Sequence, residues 1–148
     1  MRLAIALLLC SCGRREPIAS CSDDLAGVYA VETTATAQVS TQWTVLDNRR
    51  GLEAYPMFDD TTAPVPGLEI APRAIDLRRT GDALVGEVTR RFMKGALRCD
   101  AKAAARVTAC KDDTLEIVLA EPVAPISFEP CTWGQAAPSR RERWRRVK

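Results

Sequence analysis

The chain has 148 residues, a formal net charge of +2 and no histidine. This length suits a single domain with its own hydrophobic core, and so small a charge lacks the basicity of a nucleic-acid-binding protein. The absence of histidine excludes Ser-His-Asp and Cys-His catalytic sets and the two-histidine metal motifs. The sequence also lacks nucleophile-elbow, Walker and dinucleotide-binding glycine motifs, so we expect a non-enzymatic protein without cofactor, metal or nucleic-acid partner.

The first dozen residues form a short apolar run that ends in two cysteines. Residues 3–9 are apolar, too few to span a bilayer as a helix, and they lead into Leu9-Cys10-Ser11-Cys12. This stretch resembles the lipobox of bacterial lipoproteins, with the small Ser11 before Cys12. The resemblance implies a signal peptide over 1–11, lipidation at Cys12, a lipidated tether over 12–20 and attachment to a membrane through that lipid. Gly13 stands where inner-membrane lipoproteins carry aspartate, which favours an outer-membrane lipoprotein. The alternatives are an ordinary secretory signal peptide and an untranslocated start.

Apolar and polar residues alternate along most of the remaining chain. Runs at 75–78, 84–92 and 115–120 have the period of two that is typical of half-buried strands. Thr80-Gly81-Asp82 and Lys111-Asp112-Asp113 predict turns between neighbouring runs. Further runs occupy 27–36, 41–47, 107–109 and 140–147. We predict one all-β domain over 21–148, an antiparallel meander barrel or a β-sandwich of seven or eight strands, with the alanine-rich stretch 100–109 also compatible with a short helix.

The first of these runs contains Gly27-Val28-Tyr29. It resembles the opening Gly-x-Trp strand of lipocalins, with tyrosine in place of tryptophan. Trp144-Arg145-Arg146 near the end of the chain then supplies the late arginine that packs across that aromatic side chain in the family. The resemblance implies a lipocalin-like barrel that holds one small apolar ligand.

Four cysteines remain after Cys10 and Cys12 are set aside, an even number in an exported chain. They predict two disulfides, and four cysteines allow three connectivities. We favour Cys99 with Cys110, because the ten residues between them are able to fold back as a hairpin, and Cys21 with Cys131, because that pair ties the start of the domain to its end. A zinc site is the weaker alternative, since it would need four scattered thiolates in an oxidising compartment.

Two stretches, 49–72 and 121–139, hold eight of the nine prolines. Proline density of this kind predicts that neither contains a central strand. The first stretch carries Leu52, Tyr55, Met57 and Phe58, so it is either a loop that folds these side chains over an open end of the sheet, or a lid or partner-docking loop.

Arg90 shares its strand parity with Leu84, Val88 and Phe92, which turns a guanidinium toward the apolar face. A buried charge needs a partner. Either Arg90 lies at a strand end or a bulge, or it pairs with a buried carboxylate of the protein, or it binds the anionic group of a ligand in a cavity. We therefore place any ligand site between this strand and the proline-rich loop, with Arg90, Phe92, Tyr55 and Phe58 as the ligand-binding residues.

The last nine residues contain six cationic side chains and one acidic side chain. Such a run is usually a solvated strand face, but beside a lipid anchor it also suits an anionic surface. Two functions therefore remain open. The domain binds a small amphipathic or anionic ligand, or it is an interaction module that docks an envelope protein or polyanion through its proline-rich loop and basic C-terminal strand. A filled core would favour the second function, and an internal void of a few hundred Å³ the first.

Overall fold

The structure, a computed structural model, describes residues 16–32 and 41–148. These residues form eleven β-strands, and none of them belongs to a helix long and apolar enough to cross a membrane. The strands are β1 (Gly27–Glu32), β2 (Gln42–Asp47), β3 (Gly51–Pro56), β4 (Leu68–Ile70), β5 (Ala74–Thr80), β6 (Ala83–Lys94), β7 (Leu97–Lys111), β8 (Thr114–Leu119), β9 (Pro125–Phe128), β10 (Cys131–Trp133) and β11 (Arg140–Arg146).

Eight of the strands close into an antiparallel up-and-down barrel. The order around it is β1, β2, β3, β5, β6, β7, β8 and β11, and β11 pairs back with β1. Each barrel strand except the closing one therefore pairs with the next barrel strand along the chain. This confirms the all-β meander barrel and decides against the sandwich.

The two predicted turns are confirmed, and each contains at least one residue with a positive φ angle. Asp112 and Asp113 join β7 to β8 with φ angles of 51° and 59°, the left-handed conformation at both central positions of a tight hairpin. Aspartate tolerates that conformation better than most side chains. Gly81, with φ of 60°, makes the corresponding turn between β5 and β6.

The inward side chains of the barrel strands form one hydrophobic core that fills the lumen. Along each strand, buried apolar residues alternate with outward polar ones, as the period of two requires. The core members contributed by the barrel strands, each with 4% or less of its surface exposed, include Tyr29, Trp43, Val45, Leu52, Ala54, Ile75, Leu77, Leu84, Val88, Leu115, Ile117, Leu119 and Trp144.

The prediction that 49–72 contains no central strand is wrong, since β3 lies between β2 and β5. Leu52 and Ala54 point into the lumen, while Tyr55 points outward. Pro56 is the last residue of β3, so the prolines lie at and beyond the end of this strand and leave its pairing with β5 intact. In the second proline-rich stretch the structure shows only β9 and β10, a two-stranded sheet outside the barrel.

The two predicted disulfides are confirmed, but their predicted pairing is wrong. Cys21 is bonded to Cys110, and Cys99 to Cys131, with Cα–Cα distances of 5.0 and 5.8 Å. Cys99 and Cys110 both lie in β7, so the alanine-rich stretch between them is neither a hairpin nor a helix. At about 3.3 Å per strand residue they stand some 35 Å apart, and no disulfide spans that distance.

The described chain starts at one end of the barrel, which we call the N-terminal end. Ile18 is 2% exposed and belongs to the core. Its backbone N–H donates to Asp113 Oδ1 over 3.0 Å, at the turn between β7 and β8. The folded domain therefore extends back into the predicted tether, at least as far as Ile18.

The opposite end, which we call the loop end, carries the segment 57–72 and the β9–β10 hairpin. Here β6 and β7 continue as a ribbon beyond the rest of the barrel, because β5 stops pairing with β6 at Thr89. β4 then takes over the edge of β6, and the Cys99–Cys131 disulfide ties the β9–β10 hairpin to β7. The ribbon has a small core of its own, made by Leu68, Phe92 and Ala101.

Candidate functional site

Aromatic rings occupy the centre of the barrel. Trp43 of β2 and Trp144 of β11 stack with ring centroids 4.8 Å apart and an interplanar angle of 21°. Tyr29 of β1 is fully buried in the same cluster. Large rings in close contact leave an eight-stranded barrel with a packed core instead of a ligand cavity at this level.

Two carboxylates and the arginines around them form a network that covers the core at the loop end; Arg73 and Arg90 are its mostly buried cations, and the more exposed Arg140 also reaches Glu121, over 3.4 Å. The guanidinium carbon of Arg73 lies 5.3 Å from the ring centroid of Trp43. Arg73 pairs with Asp59 at 2.8 Å and with Glu121 at 3.0 Å. Arg90 reaches the same two carboxylates, Glu121 at 3.1 Å and Asp59 at 3.6 Å. The charges at this end of the lumen are thus compensated within the protein.

The network also fixes the segment 57–72 over the lumen. The backbone N–H of Arg73 donates to Asp59 Oδ2 over 2.8 Å, so the segment is closed on itself at this point. Desolvation lowers the pKa of Arg73, but the hydrogen bonds and negative charges of Asp59 and Glu121 outweigh it and raise the pKa above its ordinary value. The guanidinium remains charged and the segment acts as a fixed cover.

Arg90 faces the proline-rich segment, and the groups that pair with its positive charge belong to the protein. Besides the two carboxylates, its guanidinium donates to the carbonyl oxygens of Asp60 and of Ala71, the latter over 3.2 Å. Its side chain is 12% exposed. Of the two partners that the sequence left open, the structure shows protein carboxylates.

The other three predicted ligand-binding residues lie in different environments. Phe92 is buried in the small core of the ribbon. Tyr55 is on the outer wall, where its hydroxyl donates to Glu53 Oε2 over 2.8 Å. Phe58 is 80% exposed. Phe92 and Tyr55 therefore point to opposite sides of the barrel wall, and the four predicted residues are not brought together around one cavity.

Exposed large apolar side chains are concentrated at the loop end. Three belong to the segment 57–72 and two to the β9–β10 sheet, and their exposed fractions range from 41% to 80%. They are Met57, Phe58, Val65, Ile126 and Trp133. Aromatic and methionine side chains of this kind are enriched where proteins meet partners.

The basic C-terminal run is the closing strand of the barrel. Its odd-numbered arginines point outward, and they share two glutamates of the neighbouring strands. Arg143 lies 3.2 Å from Glu116, and Arg145 lies 2.5 Å from Glu32. Arg146 points inward and is 8% exposed. The run is thus a solvated strand face with partial charge compensation, together with one buried arginine.

A cleft of about 600 Å³ lies outside the barrel, where β7 parts from β8. One side is formed by residues 100–104 of β7, and the other by Glu121, Val123, Trp133 and residues from 134 to 139. Hydrogen bonds from Arg98 and then Arg91 lower the pKa of Asp100 at its rim. This cleft was not predicted from the sequence. Its signal is the alanine run of β7, because small side chains leave space beside a strand.

These features define the class of protein, a closed eight-stranded up-and-down β-barrel with a filled core and a structured loop end. Comparison with protein-family models, with curated proteins and with solved structures gives no match for this chain. Residues 16–32 and 41–148 contain no cluster of three or more potential metal ligands. The predicted signal peptide and the predicted lipidation site Cys12 lie outside the described residues.

Proposed function

We propose that the protein is a non-enzymatic, lipid-anchored interaction module of the bacterial envelope that docks a protein partner with its loop end. The observation that carries the proposal is the contrast between the two parts of the molecule. Stacked Trp43 and Trp144 occupy the barrel, where a carrier would hold its ligand, whereas large apolar side chains are exposed at the loop end. Exposed apolar surface of this kind marks an interaction site.

The direction of the chain supports this orientation. Ile18 enters the fold at the N-terminal end, and Cys12 precedes it by six residues. A lipid on Cys12 would hold that end near the membrane, and the loop end would then face away from it. The loop end is accordingly the part of the anchored domain that reaches a partner.

Site-specific crosslinking tests the proposal. A photoreactive amino acid at Phe58 or Ile126 should give a discrete protein adduct in intact cells, and the same group at Val85 should give none. Val85 is a suitable control because it is 56% exposed but belongs to β6 near the N-terminal end. Equal crosslinking from all three positions, or from none, contradicts the proposal.

Two further measurements separate this function from its alternatives. Native mass spectrometry of the protein from its own envelope should show a protein partner; a small amphipathic molecule alone would favour the ligand-binding function. Cys12→Ser should move the chain from the membrane to the soluble envelope fraction and abolish labelling by a fatty-acid probe. Unchanged membrane partition would refute the anchor.

A further inference from the structure

The first half of β7 has an unpaired edge. Pairing with β8 reaches Ala105, and a last hydrogen bond joins Ala120 N–H to Ala104 O over 3.1 Å. The chain then turns away toward the arginine network. At the other end of this edge, Cys131 Sγ lies 3.5 Å from Arg98 O. Between these two contacts, about 20 Å of strand is not hydrogen-bonded to any other strand of the described residues on that side.

The backbone groups of Asp100 and Lys102 point toward the open side. Successive residues of an antiparallel strand direct their N–H and C=O groups to opposite neighbours. Ala104 O and Arg98 O both face the open side, so Asp100 and Lys102 between them face it as well. The described residues supply no backbone partner for these four polar groups on that side.

The cleft of about 600 Å³ lies directly along this edge. Five consecutive residues of β7, 100–104, line it. Side chains of a strand alternate between its two faces, so a run of consecutive residues lines one space only when the space is at the edge. The facing wall carries Glu121, which pairs with Arg73 and Arg90, and its apolar part is made by Trp133, Ala136 and Ala137.

The outward charges beside the edge are mostly positive. The row contains four cations, Arg91, Arg98, Lys102 and Arg106. Arg91 and Arg98 share Asp100, and Lys102 pairs with Glu87, so the cations outnumber these carboxylates by two. A strand added here would place alternate side chains beside this basic row and the others against the apolar wall.

We propose that the edge of β7 from Arg98 to Ala104 binds an extended peptide of alternating acidic and apolar residues, which adds a strand to the ribbon. Backbone hydrogen bonds to Asp100 and Lys102 give the affinity, and the basic row and the apolar wall select the side chains. This inference deepens the proposed function, because it names the chemistry that the partner presents, and it rests on that function.

A defined peptide tests the site on the full chain in detergent. The probe is an acetylated, amidated hexapeptide of alternating Glu and Val. Its binding should slow amide hydrogen exchange at Asp100 and Lys102 more than at Ala101 and Ala103, whose N–H groups already pair with β6. N-methylation of alternate peptide residues should weaken binding about tenfold or more when it removes the donors that face β7. The proposal is overturned if the peptide does not bind. It is also overturned if the peptide methylated at its odd positions and the peptide methylated at its even positions bind equally.

Two variants at one position separate backbone from side-chain effects. Lys102→Ala keeps the edge N–H and should reduce affinity only slightly. Lys102→Pro removes the N–H that faces the cleft and no bond to β6, so the fold is retained and binding falls about tenfold. Equal affinity of the two variants overturns the edge site. If the peptide does not bind the unsubstituted chain while a photoreactive group at Phe58 still crosslinks a partner, this inference is refuted and the proposed function stands.

Discussion

Arg146 of the last strand packs across the ring of Tyr29 in the first strand. Its guanidinium carbon lies 5.7 Å from the ring centroid, and its Nε donates to the tyrosine hydroxyl over 3.2 Å. The hydroxyl in turn donates to Leu25 O over 2.7 Å, and Arg146 Nη2 donates to Asp24 O over the same distance. The pair closes the barrel where β1 and β11 meet, and it is the contact expected from the lipocalin resemblance, which itself stays a prediction.

We predict that Arg146→Met lowers the free energy of unfolding by about 2–3 kcal/mol, since charge-assisted hydrogen bonds to the buried Tyr29 hydroxyl and to the partly buried carbonyl of Asp24 are lost. Arg145→Met is the matched control. Arg145 is 60% exposed and pairs with Glu32 on the surface, so its replacement should cost less than about 1 kcal/mol. Urea unfolding of both variants measures the difference, and equal losses would show that the contact does not stabilise the closure.

The strands were largely predictable because alternation is a local signal. Runs such as 115–120 have one buried face, and a slip by one residue would expose it, so the pattern specifies both strand and register. β3 was missed because prolines beyond its end obscured the alternation of Leu52 and Ala54. The helix alternative for 100–109 reflects the high helix propensity of alanine, which pairing with β6 and β8 overrides in this stretch.

Arg90 and Arg91 provide a second comparison between neighbours in one strand. Arg90 is 12% exposed and shares Asp59 and Glu121 with Arg73, whereas Arg91 is 44% exposed and pairs with Asp100. We predict that Arg90→Met lowers the free energy of unfolding by about 3 kcal/mol, because a buried carboxylate loses a partner. Arg91→Met should cost less than about 1 kcal/mol.

Thermal or urea unfolding measures both arginine variants. A rise in stability in Arg90→Met would indicate an uncompensated charge that awaits an anionic ligand. That result would restore the ligand-binding role predicted for this residue and contradict the network.

The disulfide pairing was not predictable from spacing. The ten residues between Cys99 and Cys110 are compatible with a hairpin as well as with the continuous strand β7. The register of β7 against β8 shifts between Val107 and Ala109, which changes the parity and leaves Cys99 and Cys110 both buried. Tertiary pairing, not local sequence, decides such a bulge.

Peptide mapping without reduction should recover Cys21 linked to Cys110 and Cys99 linked to Cys131. The first bond closes 89 residues and the second 32. If the constraint on the unfolded chain dominates, replacing Cys21 and Cys110 by serine should cost about 1 kcal/mol more than replacing Cys99 and Cys131. A larger loss from the second pair would assign the stabilisation to the docking of the β9–β10 hairpin.

The core tryptophans give the most direct test of whether the barrel is filled. Trp43 is 2% exposed and packs between Trp144 and Arg73, so Trp43→Ala should lower the free energy of unfolding by about 3–5 kcal/mol through lost burial and a residual cavity. Such a cavity, bordered by Arg73 on one side and otherwise by apolar core residues, takes up small apolar molecules such as benzene or xenon. The natural chain should bind neither, and the variant should gain thermal stability when benzene is added.

Trp133→Ala is the control, because Trp133 is 41% exposed on β10. Its replacement should not destabilise the barrel by more than about 1 kcal/mol, and it should not create benzene binding. If the natural chain binds benzene as well as the Trp43 variant does, the lumen already holds a cavity, and the domain is a carrier of small apolar ligands.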